Sequence, residues 1–313
     1  MGFFITLAAG STAVITVNWN NLAATRACLR SLIDAVTPDV FAVIVDNASD
    51  EDPAAELLRQ FPSASVVRLS RNLGYAAGCN AGARCALGKG AANLLFLNND
   101  ATVDPATLPV LIEASNQYAD AVLAPKIVYA SNPGRVWSAG GRLRRPWMVN
   151  QHIGRDEAAS SYEHAAPLDW ATGCALFVPA STYQRVGPFD EGYFLYLEDL
   201  EWCLRAASRG IEVRFIPNAI VYHDVSSTAR RLPTPDVLYY GCRNTYHVAF
   251  RHSRLSDRPR MAIGLTWTVL KIALRNLDPG HRTDPAYRAR TSAAIDFLLG
   301  RRGQLNSSIT EPG

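Results

Sequence analysis

Residues 94–100, Leu94-Leu95-Phe96-Leu97-Asn98-Asn99-Asp100, set four apolar side chains in a row and then stop on three polar ones. So short an apolar run, closed by polar residues, fits a strand buried on both faces, and such strands belong to parallel sheets covered by helices. Outward from it the pattern recurs. Val14-Ile15-Thr16-Val17 ends at Asn18, residues 41–45 end at Asp46, and residues 66–69 lead to Asn72-Leu73-Gly74. Helical spacings lie between: Leu29, Leu32, Ile33 and Val36; then Leu57, Leu58 and Phe61; an Ala/Gly-rich stretch to about Leu87; and a segment after Pro105. Residues 121–129 read as a fifth strand. This alternation predicts an α/β fold, a single doubly wound, mostly parallel sheet flanked by helices. In such sheets ligands bind beyond the carboxyl ends of the strands, where Asn18, Asp46 and Asp100 fall. A nucleotide-type pocket is therefore expected there.

The second half differs. Residues 131–168 are rich in Gly, Arg, Pro and Trp and suggest long loops or a hairpin forming a lid. Residues 170–179 read as a strand, 198–209 as a helix, and 213–216 and 219–222 as two short strands around Pro217-Asn218. Helices are expected at 237–251 and 261–277.

With 48% hydrophobic and 19% charged residues in 313, the chain can bury a large core, and wholesale disorder is excluded. Lys and Arg number 31 against 28 Asp and Glu, too even for a dedicated nucleic-acid binder. The charge is nonetheless uneven: residues 1–240 carry 19 basic and 23 acidic side chains, residues 241–313 carry 12 and 5. The six cysteines form no CxxC pair, which favours reduced thiols over a disulfide scaffold or a zinc site. No basic residue precedes Arg26, so a secretory signal is not expected, and no run of ~20 apolar residues could span a bilayer. These features predict a cytoplasmic protein.

Three places carry chemistry. At Asn98-Asn99-Asp100 a strand-end carboxylate can hold a hard divalent cation beside phosphate oxygens, or simply cap a turn. Glu198 and Asp199 close an aromatic loop, 187–197, and open a helix; burial raises a carboxyl pKa and poises it as a general base, although helix-start acids also serve as caps linked to Arg205 or Arg209. His223 ends an apolar run, fit for a metal or diphosphate contact or for a structural place.

Taken together, Val17-Asn18-Trp19-Asn20, Val45-Asp46-Asn47-Ala48-Ser49-Asp50, Arg71-Asn72-Leu73-Gly74-Tyr75-Ala76-Ala77-Gly78-Cys79-Asn80 and Leu97-Asn98-Asn99-Asp100 resemble, in order and spacing, the family 2 glycosyltransferases. Trp170-Ala171-Thr172-Gly173-Cys174, the 187–202 stretch, His223 and Arg243-Asn244 extend the likeness over roughly residues 12–250, nearest the bacterial rhamnosyltransferase-like branch. The resemblance implies an inverting enzyme of the GT-A fold that moves a sugar from a UDP- or dTDP-sugar to an acceptor hydroxyl. By the same resemblance Asn18, Asn20, Asp46, Asn47, Arg71, Asn72, Gly74, Asn80, Asn98 and Asn99 serve the donor. Trp170, Gly173 and Tyr196 serve the acceptor and sugar side. Asp100 and His223 hold Mg²⁺ or Mn²⁺, and Asp199 is the base with Glu198 beside it. Asn98 stands where a more familiar Asp-x-Asp has its first carboxylate, so metal affinity should lean on bound donor. Gly74 and Gly78 are expected to let backbone approach the ligand.

The expected organisation is a catalytic domain over 1–252, its nucleotide half about 12–130 and its acceptor half 131–252. A basic helical extension over 253–313 would follow, with a disordered end from Gln304. The extension has two open readings: peripheral attachment at the inner membrane face, suiting a lipid-linked acceptor, or packing on protein, including a homodimer. A competing reading of the whole chain is a non-catalytic nucleotide-sugar-binding scaffold subunit; a nucleotidyltransferase would want a glycine-rich basic loop after the first strand, and Asn18-Trp19-Asn20-Asn21 is not one.

Overall fold

Seven residues of β1 (Thr12–Asn18) are all buried, and the β-branched run alternates between two cores. Ala13, Ile15 and Val17 join one hydrophobic cluster, and Val14 the other. The same parity splits β4 (Asn93–Leu97): Leu94 and Phe96 on one face, Leu95 and Leu97 on the opposite. A strand with both faces apolar must be covered on both sides, which places helices above and below a central sheet.

The computed structural model describes residues 10–34, 39–145, 148–225, 234–275 and 284–305. After β1 come α1 (Leu22–Asp34), β2 (Val40–Asp46), α2 (Ala54–Gln60), β3 (Ser65–Arg68) and α3 (Tyr75–Gly88). Past β4 follow β5 (Ala101–Val103), α4 (Thr107–Gln117), β6 (Val122–Tyr129), β7 (Asn132–Ser138) and the hairpin β8 (Gly141–Arg144) and β9 (Val149–His152). Then come β10 (Ala166–Leu168), β11 (Ala175–Pro179), α5 (Ala180–Val186), α6 (Glu198–Ser208) and β12 (Val213–His223). Three helices close the described chain: α7 (Thr234–His252), α8 (Arg258–Arg275) and α9 (Pro285–Leu298).

The main sheet runs β10-β12-β6-β11-β4-β1-β2-β3, with β5 on β12 and β7 on β6. The stretch β4-β1-β2-β3 is parallel, as the alternation predicts, and so is β12 with β6. The sheet reverses at β11, which is antiparallel to both β4 and β6. That reversal sets the start of β11 beside the end of β4, where Asn98 N–H donates to the Cys174 carbonyl at 2.9 Å.

Three expected elements come out differently. The strand expected over 170–179 is confined to β11, because the chain before it turns: Gly173 N–H goes to a carboxylate on α6, and Ala175 N–H returns to the Thr172 carbonyl. The two strands around Pro217-Asn218 are one, β12, whose pairing with β6 slips between Ile216 and Ile220; proline has no N–H to donate to the ladder there. The short β5 intervenes before the fifth expected strand.

In α3 the small residues face the sheet rather than a ligand. A Cβ on Gly78 would meet Val17 Cγ1 at 2.8 Å, so its role is close helix–sheet packing, a correction to the expected ligand approach. Asn80, expected at the donor, is instead buried as a strap: its Oδ1 accepts from Tyr183 Oη and Phe189 N–H, and its Nδ2 donates to the Phe189 carbonyl and Glu191 Oε1, all at 2.9 Å. Asn80→Ala leaves the Tyr183 hydroxyl and the Phe189 N–H and carbonyl buried without this partner and is expected to cost about 3 kcal/mol, measurable by urea denaturation.

Of the C-terminal helices, α9 packs on α7: Phe297 meets the rings of Tyr246, His247 and Phe250, and Tyr239 Oη donates to Asp296 at 2.7 Å. In the stretch 304–313 expected to be disordered, Leu305 lies against α7, its N–H donating to Tyr240 Oη at 2.8 Å; residues 306–313 lie outside the described residues. The expected helix 261–277 is α8 as far as Arg275.

Candidate active site

A cavity of about 970 Å³ opens above the carboxyl ends of β1, β4 and β12 and the start of β11. Of the residues expected at the site, Asn47, Asn72, Gly74, Asn98, Asn99, Asp100, Trp170, Gly173, Tyr196, Glu198, Asp199 and His223 line it.

Asn18, Asn20, Asp46, Arg71 and Asn80 are not among the lining residues. Asp46 is fully buried because partners surround its carboxylate. It accepts from Asn18 Nδ2 at 2.9 Å and from the Ser49 hydroxyl and N–H, with Arg68 Nη1 at 3.4 Å. Asn18 is spent in the same network: its Oδ1 accepts from Thr25 Oγ1 at 2.7 Å, and Thr25 in turn accepts from the cavity-lining Asn99 at 3.0 Å. Asn20 accepts from Asp50 N–H at 2.8 Å. Arg71 is exposed. Asn18 and Asp46 thus brace the floor from below.

The turn at one end is built by two amides. Asn47 Nδ2 donates to Asn72 Oδ1 and the Gly74 carbonyl at 2.9 and 3.2 Å, while its Oδ1 accepts from Leu73 N–H at 3.0 Å. Gly74, at φ +88°, admits no side chain, since a Cβ would stand 2.3 Å from the Phe194 carbonyl oxygen.

Asp100 and His223 meet on the floor, Oδ1 to Nε2 at 3.3 Å, because β5 and β12 pair just beyond them. Burial disfavours charge on His223, yet the Cys174 sulfur and the Asp100 carboxylate carry its pKa up to about 10. Trp137 stands edge-on to His223 at 4.5 Å, and His152 lies between Trp137 and Trp170 at 4.8 and 5.0 Å. Burial, then the charges of Arg155 and His223, push His152 down to about 4, so it is neutral at pH 7.

Across the cavity Asp199 is fixed by backbone. Its Oδ2 accepts from Gly173 N–H at 2.6 Å and its Oδ1 from Leu200 N–H at 2.7 Å. Burial raises its pKa in spite of these bonds. Burial and the adjacent Asp199 raise Glu198 further, and its Oε2 is buried without a hydrogen-bond partner. The loop feeding these two acids is strained: Phe194, Tyr196 and Leu197 have φ of +60°, +67° and +68° without being glycine. Each such residue costs about 1–3 kcal/mol, so the loop needs holding from outside. Asn244 Nδ2 does this, donating to the Tyr193, Leu195 and Tyr196 carbonyls at 2.9, 2.8 and 2.9 Å.

Residues that the sequence reading left out complete the wall: Trp19 and Asn21 at one end, Trp137, Asn150, His152 and Arg155 from the hairpin region, and Tyr240, Thr245, Gln304 and Leu305 from the C-terminal part. Trp19 and Trp137 are the two a reader could have marked, one inside a quoted motif and the other in the suspected lid. The rest arrive through distant contacts.

Could a divalent cation sit here? Asp100 and His223 offer one carboxylate and one imidazole at the cavity floor, and among the described residues no group of three or more His, Cys, Asp or Glu side chains is arranged to hold a metal. Two protein donors of this kind suit a cation that takes its remaining ligands from phosphate oxygens and water.

A mixed sheet of this order, with its cavity at the strand ends and an acid on either side, is the GT-A glycosyltransferase fold. Solved structures of similar fold include GalNAc-T7 with UDP, GalNAc and Mn²⁺ (TM-score 0.58, 15% identity, 69% of this chain and 44% of that one) and S. aureus TarS 1–349 with UDP-GlcNAc (TM-score 0.55, 14% identity, 93% and 92%). The family model for glycosyl transferase family 2 matches residues 13–177, and the chain belongs to that family. It is a glycosyltransferase, and rhamnosyltransferases are among the proteins it is similar to. It is 25% identical to the N-acetylglucosaminyl-diphospho-decaprenol L-rhamnosyltransferase of Mycobacterium tuberculosis over 276 residues, 79% of this chain and 86% of that protein. Over 216 residues it is 23% identical to the dTDP-rhamnosyl transferase RfbF of Shigella flexneri, 66% of this chain and 69% of that protein.

Proposed function

We propose that this chain transfers a deoxyhexose, from a dTDP-linked donor in preference to a UDP-linked one, to a hydroxyl of a lipid-linked acceptor, inverting the anomeric centre. One observation carries the reading: a carboxylate fixed by two backbone N–H groups, Asp199, faces the same cavity as the Asp100–His223 pair.

Asp199 accepts the proton of the attacking hydroxyl; its raised pKa makes it a stronger base than an exposed aspartate, and the two N–H groups fix its direction. Attack from the face opposite the leaving diphosphate gives a single displacement. Asp100 and His223 would hold Mg²⁺ or Mn²⁺, which, when bound, stabilises the negative charge of the departing diphosphate. Asn47, Asn72 and Gly74 shape the nucleotide end, and Trp170, Gly173 and Tyr196 the sugar and acceptor side. The names of the relatives support rhamnose, dTDP and a polyprenyl-linked acceptor.

The test is calorimetric titration with dTDP and UDP, each with and without Mn²⁺, followed by turnover of the matching rhamnosyl donor. Metal-dependent dTDP binding and release of dTDP are expected; nucleotide binding without turnover would leave the scaffold reading, and failure of both nucleotides to bind would overturn the proposed donor site.

A lipid-linked acceptor calls for a membrane contact, and α8 supplies one. Ile263, Trp267, Leu270 and Leu274, spaced i, i+4, i+7 and i+11, are 70, 55, 45 and 57% exposed. The helix has four basic residues and no acidic one. Self-pairing of two such helices would face like charges, whereas an anionic bilayer matches both the apolar stripe and the charge. No helix among the described residues is long and apolar enough to cross a membrane. The protein is expected to co-sediment with phosphatidylglycerol vesicles and not with phosphatidylcholine ones, and Trp267→Ser with Leu274→Ser should weaken this about tenfold or more. A concentration-dependent dimer lost in the same variant, without vesicle binding, would instead assign the stripe to a second copy.

A further inference from the structure

The strained loop that delivers Glu198 and Asp199 is fastened by more than Asn244. Arg243, 1% exposed, donates to the Tyr193 carbonyl at 3.2 Å and to the Gly192 carbonyl at 3.4 Å on that loop. Its Nε and Nη2 also donate to Asn244 Oδ1 at 3.1 and 3.0 Å, which sets the amide so that its nitrogen faces the loop carbonyls. The remaining guanidinium nitrogen, Nη1, donates to the Gly303 carbonyl at 2.7 Å, sixty residues downstream.

Gly303 then closes a circuit. Its N–H donates to the Gly192 carbonyl at 2.7 Å, so Gly192 and Gly303 are joined both directly and through Arg243. Arg302, just before it, reaches Asp190 Oδ2 at 2.9 Å and lies over the Tyr193 ring at 5.1 Å. Just after it, Gln304 and Leu305 line the cavity. Gly303 has φ +81°, a conformation proline cannot adopt and other side chains adopt reluctantly.

From this geometry we infer that residues 302–305 are a positioning element of the catalytic loop: through Gly303 and Arg243 the segment after α9 holds residues 190–197, and with them Asp199, in working geometry. The inference rests on the reading of Asp199 as the base. An orienting contact of this kind acts on the reacting distance, where small displacements have large effects on rate. The nucleotide end of the cavity meets this loop at Phe194, whose carbonyl accepts from Tyr75 N–H at 2.8 Å, but it is held by its own hydrogen bonds from Asn47 and Asn72.

The substitution to make is Gly303→Pro in the full chain, which removes the N–H and forbids the φ while leaving the core untouched; Arg301→Ala, whose side chain pairs with Asp296, is the control. Hydrogen exchange read on peptides covering 190–197 and steady-state kinetics are compared in wild type and both variants. Gly303→Pro is expected to speed exchange across 190–197 at least tenfold and to lower kcat tenfold or more, with nucleotide affinity within twofold of wild type. Arg301→Ala should match wild type. Unchanged exchange at 190–197, or an unchanged kcat, would overturn the inference. So would loss of nucleotide binding in step with kcat, which would mark general unfolding. Asn244→Ala is a second route to the same loop and should show the same split. Because exchange is read without substrate, a wild type with no turnover would count against the proposed reaction and leave the holding role of Gly303 separately decided.

Discussion

Asp199→Asn is expected to lower kcat by about 10²–10⁴, the usual worth of a general base, while dTDP affinity stays within a few fold. The amide oxygen keeps one of the two bonds, to Gly173 N–H or Leu200 N–H, and its NH2 faces the other; the side chain keeps its place in the wall but takes no proton. In wild type kcat should fall on the acid side of a pH above the ordinary carboxylate range, because burial raises the Asp199 pKa and activity needs the ionised form. Stability moves oppositely. A carboxyl whose folded pKa exceeds its unfolded one contributes fully at low pH and loses that contribution as pH rises through the folded value. Both Glu198 and Asp199 are of this kind. The stability of Asp199→Asn relative to wild type is therefore expected to be more favourable at pH 8 than at pH 4, as thermal unfolding of both proteins at the two pH values would show.

Asp100→Ala is expected to act on the other side of the cavity. Removing the carboxylate leaves His223 as the sole donor of the pair, and Mn²⁺-dependent nucleotide affinity should fall by about 100-fold, as read by calorimetry with and without the metal. Metal-free nucleotide binding, which the proposed reaction assigns to the Asn47–Asn72 turn, should change little. Equal loss with and without metal would place Asp100 in the structure of the floor and not in cation binding.

Much of this was legible in the chain. Each buried strand of the first half announces itself by its apolar run, and the polar residue that stops it lies at the sheet edge where the cavity forms. What the run does not say is which way that polar side chain turns. Asp46 looks as exposed to ligand as Asp100 does, yet it is taken up by Asn18 and Ser49 and by an arginine on β3. Asn80 sits in a motif rich in small residues, and only the return of the 187–191 loop shows it to be a strap. The hairpin wall and the contribution of Gln304 and Leu305 were illegible for a related reason: they reach the cavity through contacts between segments far apart in the chain, not through the pattern of the strands that define it. Local periodicity finds elements; it does not find partners.

The reversal at β11 has a mechanical consequence. One uninterrupted ribbon of hydrogen bonds runs from β10 to β3, beneath both the nucleotide end and the acid that faces it. A catalyst assembled from two separate lobes can open and shut like jaws, gripping and releasing substrates by rotation about a hinge. Here such a rotation would have to tear β11 from β4. Admission of the donor and escape of the spent nucleotide therefore fall to segments above the sheet, and exchanging those segments can retune the substrate without disturbing the frame that aligns it.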